Sequence, residues 1–198
     1  SYLEAIPSRV SIESAQSSLG DESPLVRVAA VGVLQALPPE PRWQTLSSYL
    51  DDPSATVRFA VADSLLRSFS EYFPEQQAKL SVVEKEYRKM LAVSEDSPAT
   101  QLAIAELETS LRNLVAAERA YKRALEIEPG YVPAMLNLAD YYRALGREQN
   151  VEPLLLKALE VAPDSGAANH SYGLYLVRRQ NYDAAIDYLG RALEQLDA

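Results

Sequence analysis

Arg123-Ala124-Leu125-Glu126, Lys157-Ala158-Leu159-Glu160 and Arg191-Ala192-Leu193-Glu194 are three copies of one pattern, and each begins 34 residues after the previous one. A unit of this length holds two short helices and their turns, which is too little chain to bury its own apolar face. Copies of the unit must therefore stack on one another. The period predicts a helical array whose function lies in a surface and not in a catalytic pocket.

Composition and charge limit the class of protein. The 198 residues are 47% hydrophobic, which is ample for the core of one medium domain or two small ones. The net charge of -9 repels a phosphate backbone, so nucleic acid is not an expected partner. The chain has no cysteine, which excludes disulfides, thiolate nucleophiles, haem attachment through a cysteine pair and cysteine zinc sites.

The longest strongly apolar stretch, residues 28–34, is far shorter than the roughly 20 residues of a membrane-spanning helix. The sequence therefore predicts a soluble chain without a membrane span. Ser1 is not an initiator methionine and no leader sequence follows it, so we interpret the chain as a processed or excised piece of a longer protein. The compartment is left open, and the periplasm of a bacterium, for a longer exported chain, is one interpretation.

Glycine is scarce, alternating strand patterns are absent, and prolines fall between periodic segments, which together predict an all-α chain. Pro38-Pro39-Glu40-Pro41 separates two helices, and Phe73-Pro74 marks the point where the repeat length changes. We place a domain boundary there, between residues 1–74 and residues 75–198.

Residues 23–30 recur 31 positions later as residues 54–61, with Val26-Arg27 matching Val57-Arg58 and an acidic turn before each. This pattern, over roughly residues 11–73, resembles the short bacterial class of HEAT-like repeats. The resemblance implies that the two arginines bond the acidic residues or carbonyls of neighbouring turns, here Asp21, Asp51 or Asp52. An arginine pair that grips an anionic ligand is the less favoured alternative.

Small residues recur at the 34-residue interval beyond Pro74: Ala105, Ala139 and Gly173; Ala117, Val151 and Ala185; Ala124, Ala158 and Ala192. In this respect the chain resembles the tetratricopeptide repeat family, in which small residues stand where two helices approach closely. The copies are residues 98–131, 132–165 and 166–198. The resemblance implies a right-handed solenoid of helical hairpins, with a linking and capping helix at residues 75–93.

The three copies depart from the family pattern at several positions, one of which, Asp197 in place of a proline, lies outside the residues that the structure describes. Gln101, Met135 and Asn169 replace an expected aromatic residue, so weaker packing is expected at these positions. Pro153 falls inside the second helix of the middle copy. We reconcile it by letting Asn150 cap a late-starting helix, so that the proline stays in the first turn. A mid-helix kink is the alternative.

In this family the first helix of each copy lines a concave groove that holds an extended peptide or a helix. By position, the resemblance assigns the groove to Leu102, Glu106, Leu136, Asn137, Asp140, Arg143, His170, Ser171, Leu174 and Arg178. Asn137 matches a residue that holds a peptide backbone or terminal carboxylate in some members. The remaining residues of that carboxylate clamp are missing, so capture of a chaperone tail is not favoured.

Residues that could support catalysis are not arranged for it. His170 is the only histidine and lacks a partner at ligand or triad spacing, so the sequence predicts no catalytic residue, no metal site and no cofactor. Glu106 and Glu108 fall on different helical faces and are expected to be solvated. Most of the 12 tyrosines are expected to be packing residues, with Tyr141 and Tyr175 as exposed candidates for peptide anchors.

The sequence predicts a non-enzymatic scaffold that binds a peptide or helix of a partner protein of unknown identity. The alternative is an accessory C-terminal module of a larger bacterial enzyme or multihaem c-type cytochrome, whose active domains lie upstream. The loose similarity of the repeat order to such proteins motivates this alternative. A further expectation is self-association through the last copy, because Ile186, Leu189 and Leu193 have no following helix to cover them.

Overall fold

The computed structural model describes residues 9–195, and every regular element in that range is a helix. The described α-helices are α1 (Arg9–Ser18), α2 (Pro24–Leu34), α3 (Pro39–Leu46), α4 (Ala55–Leu66), α5 (Pro74–Leu91), α6 (Pro98–Ser110), α7 (Leu114–Ile127), α8 (Val132–Ala144), α9 (Val151–Val161), α10 (Gly166–Arg178) and α11 (Tyr182–Glu194). Short 3-10 turns lie at Ser47–Asp51, Phe69–Glu71, Ala92–Ser94 and Glu148–Asn150. The prediction of an all-α chain is confirmed.

Prolines mark where several helices begin. Pro24, Pro39 and Pro74 occupy the first position of α2, α3 and α5, where a missing backbone N–H costs no helical hydrogen bond. Pro153 follows the same principle, because α9 begins at Val151 and the proline stays within its first turn. Asn150 is the N-cap residue of α9 as predicted, although its side chain makes no capping hydrogen bond.

The turns between paired helices repeat their geometry every 34 residues. Arg112, Gly146 and Gln180 all adopt the left-handed conformation, with φ of 63°, 70° and 60°. In each turn the next residue donates its N–H to a carbonyl five residues back: Asn113 to Glu108 at 2.8 Å, Arg147 to Tyr142 at 2.9 Å and Asn181 to Leu176 at 3.0 Å. This helix-ending loop explains why a 34-residue sequence period becomes a structural period.

The described residues divide into two compact units. The N-terminal unit comprises residues 9–95 and 103–117, and the C-terminal unit comprises residues 96–102 and 118–195. Both units are built from neighbouring helices in contact. These are α1 with α2, α2 with α4 and α4 with α5 in the first unit, and α8 with α9, α9 with α10 and α10 with α11 in the second.

Aliphatic side chains form the core of the N-terminal unit. Leu34, Leu46, Val57, Leu65 and Leu80 are fully buried, and the half-buried Trp43 packs at the margin with its ring centroid 5.5 Å from that of Tyr72. These residues come from α2 to α5, so each helix contributes one apolar stripe to a shared interior.

Small and aromatic residues fill the C-terminal unit. Its buried side chains include Ala124, Ala134, Met135, Leu138, Ala139, Tyr142, Val151, Leu155, Ala158, Tyr172, Leu176, Ala185 and Ala192. Alanine lets helix backbones approach, and the tyrosines and leucines fill the spaces between them.

Between residues 9 and 195, none of the helices combines the length and the apolar character needed to cross a membrane.

Candidate functional site

Small residues set the spacing of the helices that surround the site. Gly173 of α10 lies against Leu189 of α11, and a β-carbon at Gly173 would be only 2.7 Å from Leu189 Cγ. Ala139, Ala158, Ala185 and Ala192 are buried, as the close-approach pattern predicted. The small residues Ala139 on α8 and Ala158 on α9 belong to the helices that, with α10, surround the cavity described next.

A cavity of about 130 Å³ opens between α8, α9 and α10. It lies wholly within the C-terminal unit. Its lining consists of Leu136, Ala139, Asp140, Arg143, Val151, Leu155, His170, Ser171, Leu174 and Arg178.

Most of the predicted groove residues meet at this cavity. They are Leu136, Asp140, Arg143, His170, Ser171, Leu174 and Arg178. Asn137 is half-buried on α8 outside the lining and has interactions of its own, and Leu102 is half-buried on α6. Glu106 lies in the N-terminal unit, where it forms an ion pair with Arg67. That a ligand occupies these residues stays a prediction.

Sequence reasoning missed the floor of the cavity. Ala139, Val151 and Leu155 are buried beneath the opening, whereas Leu174 is 40% exposed at its edge. Ala139, Val151 and Leu155 stand at the small and large positions of the repeat, where the pattern assigned them to helix packing alone. The signal was therefore present, because the same side chains that pack α8 against α9 also form the cavity floor.

The charged groups at the rim do not cancel. Arg143 donates from Nε to Asp140 Oδ1 at 3.1 Å, so these two opposite charges offset each other. Arg178 is exposed at the end of α10, and within residues 9–195 no ion pair engages it. The rim therefore carries one uncompensated positive charge.

His170 adds no charge to this balance. It is half-buried, and burial lowers its pKa below the usual value, so the imidazole is neutral at pH 7. No group of three or more His, Asp or Glu side chains within residues 9–195 is arranged to hold a metal ion. The cavity thus combines an apolar floor with a cation at its rim.

Two tyrosines expected to be exposed are buried. Tyr141 is 5% exposed and its ring centroid lies 5.5 Å from that of Tyr121, while Tyr175 is 7% exposed and stacks on Tyr172 at 5.9 Å. The expectation that they anchor a peptide is wrong. Tyr121 of α7 packs on Tyr141 of α8, a contact between helices that a pattern within one helix does not show.

The glutamates of α6 were expected to be solvated, and this is also wrong. Glu108 is buried and accepts hydrogen bonds from Arg88 Nη1 at 2.5 Å and Asn113 Nδ2 at 2.8 Å. Glu106 pairs with Arg67 at 2.5 Å, and burial raises its pKa above the usual value despite the arginine. Both carboxylates hold helices of the N-terminal unit together.

Asn169 fills a position where weaker packing was expected. It is fully buried, and its Nδ2 donates to the carbonyls of Pro163 at 2.7 Å and Ser165 at 3.0 Å. The amide therefore ties α10 to the preceding turn by hydrogen bonds instead of by aromatic contact.

A polar cluster around Glu118 joins α7 to α8. The carboxylate accepts from Tyr142 Oη at 3.0 Å and pairs with Lys122 and Arg147, each at 2.7 Å. The hydrogen bond from Lys122, with those from Arg147 and Tyr142, lowers the pKa of Glu118 to about 2. This cluster stabilises the helix that carries Asp140 and Arg143.

The arginines of the N-terminal unit are structural, as predicted. Arg27 forms a two-pronged ion pair with Asp52, at 3.0 Å from Nε and 2.9 Å from Nη2, and also donates to the Asp21 carbonyl at 2.8 Å. Arg58 donates to the Asp52 carbonyl at 2.7 Å. Turn carbonyls and a carboxylate thus occupy Nε, Nη1 and Nη2 of Arg27, the donors that an anionic ligand would need, and turn carbonyls occupy Nη1 of Arg58.

Comparison with known proteins agrees with this geometry. Residues 132–165, which hold α8 and α9, match the tetratricopeptide repeat family model. These are the bounds predicted for the middle copy. The comparison with curated proteins finds no match.

Among solved structures, the chain is similar to the crystal structure of MamA. The two share 17% sequence identity with a TM-score of 0.50, over 89% of this chain and 96% of that one. Two further MamA structures have TM-scores of 0.47 and 0.45, each at 15% identity. At this identity the first likeness shows the fold alone: paired helices of the tetratricopeptide type over most of the chain.

Proposed function

We propose that the protein is a non-enzymatic scaffold that binds a peptide or helix of a partner protein at the cavity between α8, α9 and α10. The observation that carries this proposal is the cavity itself, which opens beside the exposed Leu174 and the rim cations Arg143 and Arg178. The tetratricopeptide match at residues 132–165 supports it, because the resemblance implies peptide binding along the first helix of each repeat.

The size of the cavity favours a side chain over a free cofactor. Pockets for drug-sized molecules and cofactors occupy about 300–1,000 Å³. The volume here is about 130 Å³, close to the roughly 150 Å³ of an apolar cavity that holds one benzene. A single apolar side chain fits this space, and the rest of a partner segment would lie across the rim.

Truncation of Leu174 tests the proposal. Leu174→Ala removes an exposed apolar contact without opening a hole in the core, so the fold is expected to persist while peptide affinity falls about tenfold. Val177→Ala is the matched control, because Val177 is also exposed on α10 but does not line the cavity. Peptides selected from a random display library are titrated against both variants by fluorescence anisotropy. Selected peptides that bind both variants and the unmodified protein equally would reject this site.

The repeats of the N-terminal unit we interpret as HEAT-like. The support is local: α2 and α4 each follow a turn whose aspartate accepts a backbone N–H, from Ser23 to Asp21 and from Ser54 to Asp52, both at 2.8 Å. With this interpretation we retain the proposed division at Pro74, with residues 75–93 as a linking and capping helix before the tetratricopeptide array.

We also propose self-association through the last helical pair as a second property of the scaffold. Ile186 is 68% exposed and Leu193 is 60% exposed on α11. The residue 34 positions before Leu193 is Leu159, which is half-buried. A second copy of the chain covering α11 would remove this apolar surface from water.

A further inference from the structure

We propose that the cavity selects an acidic segment, in which a branched aliphatic side chain enters the cavity and a neighbouring side-chain carboxylate binds Arg178. This inference rests on the proposed function, since it specifies which peptides the same site prefers. It identifies the partner by chemistry: an aspartate or glutamate within a few residues of a leucine, isoleucine or valine.

The floor of the cavity specifies the aliphatic part of the ligand. Ala139, Val151 and Leu155 present hydrocarbon only, and Leu136 and Leu174 extend that surface to the opening. A polar group placed there would lose its hydrogen bonds to water without replacement. Because the cavity holds about 130 Å³, one branched aliphatic side chain is a better match for it than a peptide segment or an extended cofactor.

The rim specifies the acidic part. Asp140 already offsets Arg143, the imidazole of His170 is neutral at pH 7 because burial lowers its pKa, and Ser171 is uncharged. Arg178 is the remaining charge on the lining, and within the described chain no carboxylate pairs with it. A guanidinium binds a carboxylate through paired N–H donors, so an acidic side chain is the complementary group.

The positive rim is local, since the chain as a whole has a net charge of -9. A basic ligand would be attracted by the negative charge of the protein as a whole but repelled by Arg178 at this rim. An acidic ligand would be attracted at this rim by Arg178. Preference for acid at this cavity is therefore a property of Arg178 and not of the overall charge, which makes the idea testable by single substitutions.

The test uses a panel of fluorescein-labelled 12-residue peptides with one leucine and one glutamate separated by one to four positions. All are acetylated and amidated and carry the label at the same position, so that the glutamate side chain is the only carboxylate that differs between the peptides. We expect at least one spacing to bind the full chain. We expect replacement of its glutamate by glutamine to weaken binding about twofold to fivefold, as for an exposed ion pair. Replacement of its leucine by alanine should weaken binding about tenfold or more.

Variants of the protein assign the effect to one residue. Arg178→Ala should bind the glutamate and glutamine peptides equally, and Arg178→Glu should prefer a lysine peptide of the same spacing. Arg179→Ala is the matched control, because Arg179 is the next exposed arginine and is not part of the lining. It should keep the full preference for glutamate. Far-UV circular dichroism confirms that each variant is folded.

The outcomes separate this inference from the proposed function. Equal affinity of the unmodified protein for glutamate, glutamine and lysine peptides would overturn the acidic preference, as would a preference that survives Arg178→Ala. If the selected peptides lose affinity on Leu174→Ala but contain no acidic residues, the acidic preference is overturned and the scaffold proposal still holds. If neither the panel nor the display library yields a peptide that binds at this cavity, both proposals fail together.

Discussion

At Gly173 the absence of a side chain lets α10 and α11 approach until Leu189 fills the space beside the glycine. An added β-carbon would lie 2.7 Å from Leu189 Cγ and 3.3 Å from the Leu189 backbone nitrogen. Gly190 is the residue after Leu189 in α11, and a β-carbon added to Gly190 would have no atom within 4 Å. Both glycines are helical, but only Gly173 lacks room for a side chain.

Gly173→Ala is expected to lower the free energy of unfolding by about 1–3 kcal/mol, because the methyl group forces Leu189 out of its packed position. Gly190→Ala is expected to raise the free energy of unfolding by about 0.5–1 kcal/mol, because alanine loses less backbone entropy in a helix. Urea denaturation of the two variants measures both changes. Equal effects would show that α10 and α11 are not in close contact at Gly173.

The ionised carboxylate of Glu118 is one of the groups that join α7 to α8. Tyr142 and Arg147 reach it from α8 and the turn after it, and Lys122 reaches it from α7. The pKa of Glu118 is lowered to about 2 in the folded protein, from an ordinary value near 4.5. The folded state therefore binds a proton at this group less readily than the unfolded state does.

The stability of the folded protein therefore falls at acidic pH as Glu118 becomes protonated. The stabilisation from Glu118 is fully present above about pH 4.5 and is lost as the pH falls toward 2. Glu118→Gln is expected to lower the melting temperature clearly at pH 7, and by progressively less as the pH falls below 4.5. Thermal melts followed by circular dichroism between pH 7 and pH 3 measure the difference.

Glu126→Gln is the control for this experiment, because Glu126 lies on the same helix and pairs with Arg123 in an exposed ion pair at 3.1 Å. Its melting temperature should follow that of the unmodified protein across the pH range, since exposed pairs contribute little. A constant offset between Glu118→Gln and the unmodified protein from pH 7 to pH 3 would contradict the assignment.

For the whole molecule, the proposed self-association depends on the exposed face of α11. In α9, the position equivalent to Ile186 is Glu152, whose carboxylate lies 3.5 Å from Tyr172 Oη of α10. The next helix thus contacts that face of α9, whereas Ile186 and Leu193 remain exposed. The exposed side chains of Ile186 and Leu193 are apolar, so burial against another apolar surface would be favourable.

Sedimentation velocity at increasing protein concentration is expected to show reversible dimers. The double substitution Ile186→Glu and Leu193→Glu should abolish them, because it places two negative charges on each copy of the interface. Leu156→Glu is the control, since Leu156 is also exposed but lies on α9. A monomer at every concentration, or dimers that persist in the double variant, would refute self-association through α11.

The sequence determined the helical class, the period and the bounds of the middle repeat. Small residues at Ala139, Gly173 and Ala185 indicated close helix contacts because only a small side chain permits them, and Pro153 fixed where α9 could begin. Such signals are local: they act through the backbone within one helix or between neighbouring helices, so a single sequence carries them.

The tertiary structure decided which groups face each other across helices. It buried Tyr141 and Tyr175, paired Glu106 with Arg67, and left Arg178 beside the cavity without an ion partner among the described residues. Periodicity places a residue on one face of a helix, but the neighbour that covers that face comes from elsewhere in the chain. Charge balance and burial depend on that neighbour, and only the folded arrangement supplies it.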